Sequence, residues 1–387
     1  MWWALRGLTP GTKASATLAA ATATYVSSVR PPGKLAVRQG RTATRISNDT
    51  RTVWTRSFKT TACETASSKQ LRNVYPEIQP LETGMLTTED RKHQIYYEVS
   101  GNPSGKPAIF LHGGPGDGSS PKHRRLFDPS VYKIIVFDQR GAGKSVPAGS
   151  IEANTTADLI RDVEQLRRHL AVESWDLLVG GSWGSTLALA YAQEHQSRVK
   201  AMVLYSVFIP SQRSIDWLYC PGGASEFFPD AYHSFISSFP CSERSTPMES
   251  LYRRVTSPDD SIRFPARANH AAWALTCLAL TPDREFITQV TSKPEDLGDG
   301  CIIELHYMRH GTFMEEGQLL RDCTKIGHIP CSILHGRYDM MCAPSGAWQL
   351  HQMLPLSKLQ FIPESGHSSS AAPRLKSAII EAIDSFR

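Results

Sequence analysis

From about residue 95 the chain alternates short apolar runs with glycine-rich turns and amphipathic stretches. Ile95–Val99, Pro107–Leu111 and Lys133–Phe137 read as the first strands. Thr156–Leu170 sets Leu159, Val163, Leu166 and Leu170 at helical spacing, which predicts a helix. Trp175–Val179 reads as a buried strand and Thr186–Glu194 as a helix, with a sharp turn at 180–184 between them. Val199–Val207 reads as a further strand. This repeated strand, helix, strand order predicts an α/β architecture, a mostly parallel sheet flanked by helices.

The pattern lapses between 208 and 325 into proline-rich, aromatic-rich and helical text. It resumes with strands at Ile329–His335 and Lys358–Ile362 and a last helix at Arg374–Phe386. The expected organisation is therefore a core made of 75–207 and 326–387, with 208–325 inserted as a mainly helical cap. Such a cap would stand over the strand ends, where ligands bind in sheets of this kind.

Residues 1–74 form a different region, a presequence and linker. The 387-residue chain carries a formal net charge of +5, but residues 1–75 hold 12 Lys and Arg against only Asp49 and Glu64. The remaining 30 basic and 35 acidic residues leave the folded part at about −5, so the basic balance does not predict a nucleic-acid partner. Residues 1–48 lack Asp and Glu and carry seven Lys or Arg (Arg6, Lys13, Arg30, Lys34, Arg38, Arg41, Arg45), the composition of a mitochondrial import signal. A disordered tail on a cytoplasmic protein and a secretory signal are the alternatives. No apolar run is long enough for a membrane span. The eight cysteines form no C-x-x-C pair and are expected to be reduced and mostly buried.

Gly180-Gly181-Ser182-Trp183-Gly184 matches G-x-S-x-G in the strand-to-helix context that gives this motif meaning. A strand that turns directly into a helix strains the serine backbone, and flanking glycines avoid clashes there. His112-Gly113-Gly114-Pro115-Gly116 follows the Pro107–Leu111 strand, where an oxyanion-binding loop is expected. The predicted donors are the backbone N–H groups of Gly113 and Trp183, with Gly114 as an alternative donor and substrate contact. His112 is expected to be structural.

A nucleophilic serine also needs a base and an acid later in the chain. Asp339 follows one apolar strand and His367 the next, so Ser182, Asp339 and His367 all fall in loops at strand C-termini. Together they predict an α/β-hydrolase fold with serine-hydrolase chemistry. Gly141–Ser145 ends like a phosphate-binding loop, but Asp138 stands where its first glycine is required. The histidines do not form H-E-x-x-H. Neither a cofactor nor a metal is expected, and the partner is a small peptide or small-molecule substrate.

Tyr75-Pro76-Glu77-Ile78, Gly101-Asn102-Pro103, the 112–116 loop, His123-Arg124-Arg125, Phe127-Asp128-Pro129, Asp138-Gln139-Arg140-Gly141, Asn154-Thr155-Thr156 and the 180–191 segment together resemble the proline iminopeptidase (prolyl aminopeptidase) family. The resemblance spans about 75–387. It implies release of N-terminal proline through an acyl-enzyme on Ser182, and it places the family's triad on Ser182, Asp339 and His367. It also implies cap carboxylates that bind the substrate's free amine. Ile303-Glu304-Leu305-His306-Tyr307-Met308 makes Glu304 one such ligand, whereas the family's other acid falls on Ala274 in Trp273-Ala274-Leu275, and an asparagine on His310. Glu315 or Glu316 is the expected substitute for the missing acid. Two other readings are a hydrolase of the same fold acting on another ester, lactone or amide, and a catalytically silent ligand-binding protein.

Overall fold

The computed structural model describes residues 70–387. The expected import signal and Cys63 lie outside the described residues, as does residue 69 and everything before it in the linker. Eight strands form one sheet: β1 (Glu82–Thr87), β2 (Gln94–Gly101), β3 (Lys106–Leu111), β4 (Tyr132–Phe137), β5 (Leu177–Gly181), β6 (Met202–Tyr205), β7 (Cys331–Gly336) and β8 (Ser357–Ile362). Their order is β1-β2-β4-β3-β5-β6-β7-β8. The pairs β1/β2 and β2/β4 are antiparallel and all the others are parallel. The C-terminal ends of β3, β5, β6, β7 and β8 therefore share one edge.

The strands differ from expectation in two respects. β1 was not expected, because only Leu86 of its six residues is buried and an edge strand of that kind carries little apolar alternation. The strand predicted at 175–179 begins and ends two residues later, and the one predicted at 199–207 is reduced to four residues. Trp175 and Val199 instead form an isolated bridge just before the two strands.

The central strands are buried on both faces, as near-continuous apolar sequences require. Alternation assigns Ile109, Leu111, Leu178, Met202 and Leu204 to one core, and Ala108, Phe110, Leu177, Val179 and Val203 to a second core. The helices, in chain order, are α1 (Pro121–Arg124), α2 (Thr156–His169), α3 (Trp183–Glu194), α4 (Gln212–Tyr219), α5 (Pro229–Ser237), α6 (Pro247–Val255), α7 (Asp260–Leu278), α8 (Arg284–Thr291), α9 (Gly300–Arg309), α10 (Gln318–Arg321), α11 (Pro344–Met353) and α12 (Pro373–Asp384).

In α2, Thr155 caps the first turn by accepting from the Asp158 N–H, and Leu159, Val163 and Leu166 enter the first core. In α12, Pro373 starts the helix, and Leu375, Ile379 and Ile383 fill the second core. The segment from α4 to α10 lies in sequence between β6 and β7. Its buried side chains, including Tyr219, Phe235, Trp273 and Tyr307, extend the first core.

No helix among the described residues is long and apolar enough to cross a membrane. The seven described cysteines are free thiols, five of them buried.

Candidate active site

Ser182 sits between β5 and α3 with φ 55° and ψ −127°, a region that a residue with a Cβ seldom occupies. What holds it there is the packing of the turn. A Cβ on Gly184 would lie 2.0 Å from the Leu111 carbonyl oxygen, and one on Gly181 would enter the Tyr205 ring at 2.1 Å. The turn is thus wedged between β3 and β6, and only glycine permits that approach.

The loop after β3 meets the same turn, and a Cβ built on Gly113 would stand 3.4 Å from Ser182 Cβ. Trp183 provides the first N–H of α3, which no carbonyl within the helix can accept. Gln139 ties these two backbones together. Its Oε1 accepts from the Trp183 indole at 2.9 Å, its Nε2 donates to the His112 carbonyl at 2.9 Å, and its backbone N–H donates to His112 Nε2 at 2.9 Å. The His112 ring is thereby committed to the loop, in keeping with a structural role.

Asp339 is buried after β7, and its Oδ2 lies 2.8 Å from His367 Nδ1. Its Oδ1 accepts the backbone N–H groups of Met341 (3.0 Å) and Cys342 (2.8 Å). Burial alone would raise this carboxyl, but His367 and the Cys342 N–H hold it below its ordinary value, so it remains charged.

His335 stands behind it, 3.4 Å from Asp339 Oδ2. Its Nδ1 accepts from the Val207 N–H at 3.0 Å and its Nε2 faces the Cys342 carbonyl at 2.9 Å, a set of partners that fits the neutral ring. Burial lowers its basicity in the same sense. The backbone of His367 is fixed through its N–H to Leu278 O (3.1 Å) and its carbonyl to Ser206 Oγ (2.7 Å). Engagement of Nδ1 by Asp339 leaves Nε2 as the ring nitrogen available to a hydroxyl. The Cys342 thiol, kept protonated by burial, lies against the Ser182 hydroxyl.

Ser182 and His367 open into a cavity of ≈ 640 Å³, bordered also by Gly113, Gly114 and Glu304. Glu304 stands on α9 and is only 4% exposed. Its Oε1 accepts from the Tyr219 hydroxyl at 2.9 Å and lies 3.6 Å from His270 Nε2, while its Oε2 has no hydrogen-bond partner. Burial pushes this carboxyl up, but His270 and Tyr219 outweigh that and hold it below its ordinary value. One turn further along α9, Tyr307 packs edge-to-face on the Trp183 indole (centroids 4.8 Å apart) and donates to Asn154 Oδ1 at 2.9 Å. The helix that carries Glu304 is therefore braced on the residue that follows Ser182.

Ala274 is fully buried on α7, and neither expected substitute takes up the role of an acid there. Glu315 and Glu316 are both exposed, the first paired with Arg321 (2.8 Å) and the second accepting from the Gln212 N–H (3.1 Å). The missing acid is thus not replaced from that loop. Tyr219 and His270 were not singled out from the sequence, Gln139 entered only within the motif 138–141, and His335 only as the end of a strand. The bonds from Gln139 to Trp183, from Tyr219 to Glu304 and from Val207 to His335 join separate elements, so only the folded chain displays them.

Residues 106–371 match the family model described as the alpha/beta hydrolase fold. The chain is 44% identical over 318 residues to a probable proline iminopeptidase of Leptolyngbya boryana, across 82% of this chain and 97% of that one. It is 39% identical over 317 residues to a proline iminopeptidase of Arabidopsis thaliana, across 82% of each. Among solved structures, a bromoperoxidase from Bacillus anthracis superposes with a TM-score of 0.56 at 20% identity, over 79% of this chain and 99% of that one, a likeness of fold alone.

Proposed function

The chain belongs to the proline iminopeptidase family of α/β hydrolases, and from that premise we propose that it is a serine aminopeptidase releasing N-terminal proline from peptides. The observation that carries this reading is Glu304, a buried carboxylate with an unpartnered oxygen in the cavity that holds Ser182. A buried charge without a full set of partners is costly, and a substrate ammonium supplies the missing one.

With the ammonium on Glu304 and the ring bordered by Gly114, the proline carbonyl faces Ser182. The hydroxyl adds to that carbonyl while its proton passes to His367 Nε2, and Asp339 holds the ring and stabilises the imidazolium. The Gly113 and Trp183 N–H groups receive the oxyanion, each contributing about 2.7–4 kcal/mol. Collapse expels the shortened peptide, whose amine takes the proton from His367. Water, activated by the same ring, then hydrolyses the prolyl ester on Ser182. Every proton transfer is accounted for by these side chains.

The test is turnover of proline amide, other aminoacyl amides and short acyl esters by the purified protein. Proline release is expected, with a loss of about 10⁵–10⁶-fold in Ser182→Ala. Cleavage of esters with no action on any proline substrate would overturn the reading.

We also propose that the acid-free, basic N-terminal segment directs import into mitochondria. Residues 1–60 fused to a fluorescent protein are expected to reach that organelle, and a fusion that stays in the cytoplasm would refute this.

A further inference from the structure

Glu304 accounts for one charge in the cavity, yet a second and opposite charge lines it elsewhere. Lys122 on α1, Arg125 at its C-terminal end and Lys376 on α12 all border the same space as Ser182. α12 fills the second core and Leu126, next to Arg125, joins it there, whereas α9 and the other inserted helices extend the first core. The basic group and Glu304 thus come from elements packed on opposite faces of the sheet, and Ser182 stands at the edge of that sheet.

The three cations act as a group. Partial burial, and then the charges of Lys122 and Arg125, weaken the hold of Lys376 on its proton, so a bound anion would relieve that repulsion. The Arg125 guanidinium is fixed by its Nε, which donates to the Tyr75 carbonyl at 2.8 Å, and among the described residues neither Arg125 nor Lys376 has a carboxylate partner. Ser368, Ser369 and Ser370 continue this wall from His367 toward α12 and add hydroxyl donors. Two further acids line the cavity: Asp283, which caps α8 by accepting from the Phe286 N–H at 3.0 Å, and Asp117, which adjoins Gly113.

We propose that Lys122, Arg125 and Lys376 form a subsite for the free C-terminal carboxylate of a short peptide, making zwitterionic di- and tripeptides the preferred substrates. This rests on the proline-releasing reading above. The cavity wall carries charges of both signs beside the nucleophile, so that Glu304 would take the ammonium of such a molecule, the cations its carboxylate and Ser182 the peptide bond. An ammonium–carboxylate contact in a partly closed cavity is stronger than one at an open surface and favours a free acid over its neutral amide.

The experiment compares kcat/KM of the full chain on Pro-Gly, Pro-Gly-Gly and Pro-Gly-Gly-Gly with that on their C-terminal amides, using a proline anilide as a substrate without a carboxylate. The free acid is expected to be preferred over the amide by about tenfold at the length that spans the cavity, with the preference shrinking as salt rises. In Lys376→Gln and Lys122→Gln the acid-to-amide ratio falls toward one, and in Lys376→Glu it falls below one. Because the ratio is taken within each variant, a loss of folded protein cannot produce it. Equal rates on acid and amide at every length in the unmodified protein, or variants that lower both alike, would overturn the subsite. A protein that cleaves the anilide but shows no acid preference refutes only the subsite, whereas one that cleaves no proline substrate refutes the underlying reading as well.

Discussion

The sheet edge and the inserted helices satisfy their buried polar groups to different degrees. At the edge, Asp339 has both oxygens occupied, Gln139 spans the two glycine-rich turns, and Ser182 is locked where no side chain beyond glycine fits beside it. In the insertion, Glu304 is buried with one oxygen occupied and the other without a hydrogen-bond partner. The edge is complete before any substrate arrives, while in the proposed reaction a substrate would complete the insertion. Under the proposed function, the groups that would break the bond and the group that would select the molecule are separable, and substitutions should divide along that line.

The sharpest division should come from Asp339→Asn, which removes the charge that orients His367. A loss of about 10⁴-fold in kcat is expected on amides and esters alike, measured against the unmodified protein. A loss confined to proline substrates would erase the distinction between the two regions. Glu304→Gln should act in the opposite fashion. Removing the charge opposite a buried ammonium costs about 2–5 kcal/mol, or roughly 30-fold to 5,000-fold in kcat/KM on proline amide. Hydrolysis of a short acyl ester, which carries no ammonium, should change by less than about threefold, since the oxyanion and proton-transfer groups are untouched. Equal losses on both substrates would show that Glu304 serves the edge and not the amine.

The smallest effect concerns pH. Because Glu304 is held below its ordinary value by His270 and Tyr219, it keeps its charge as pH falls toward the usual carboxylate range and loses it only below that. KM for proline amide should accordingly vary by less than about twofold between pH 7 and pH 5. A KM that climbs steadily over that interval would mean that burial dominates at Glu304 and that its pKa is raised.

Much of the edge was legible in the sequence because steric demands there act over short spans. The glycines at 181 and 184 are imposed by Tyr205 and Leu111, and the resulting G-x-S-x-G can be read without knowing either neighbour. Asp339 and His367 were legible because each follows an apolar strand whose end fixes its position. The insertion offers no such rule. Tyr219 and Glu304 are 85 residues apart, and nothing in their local sequences announces the contact. Glu315 and Glu316 looked suitable as charges near Tyr307, but the chain turns them outward to Arg321 and the Gln212 backbone. β1 escaped notice for the same kind of reason, since an edge strand with one buried residue leaves almost no periodic trace. Lys122, Arg125 and Lys376 resemble solvated surface charges until the cavity brings them together.

The bracing of α9 on Trp183 has a bearing on how this scaffold could acquire a new substrate. Glu304 and Tyr307 are on one helix, and Tyr307 touches Trp183, the residue next to Ser182. A mutation that shifts α9 to accommodate a different amine therefore also disturbs the catalytic turn, and the two traits cannot drift independently there. Phe286 and Ile287 on α8 line the same cavity without that tether, and both are only partly buried. Directed evolution toward bulkier N-terminal residues should gather its early tolerated changes on α8 and reach α9 last.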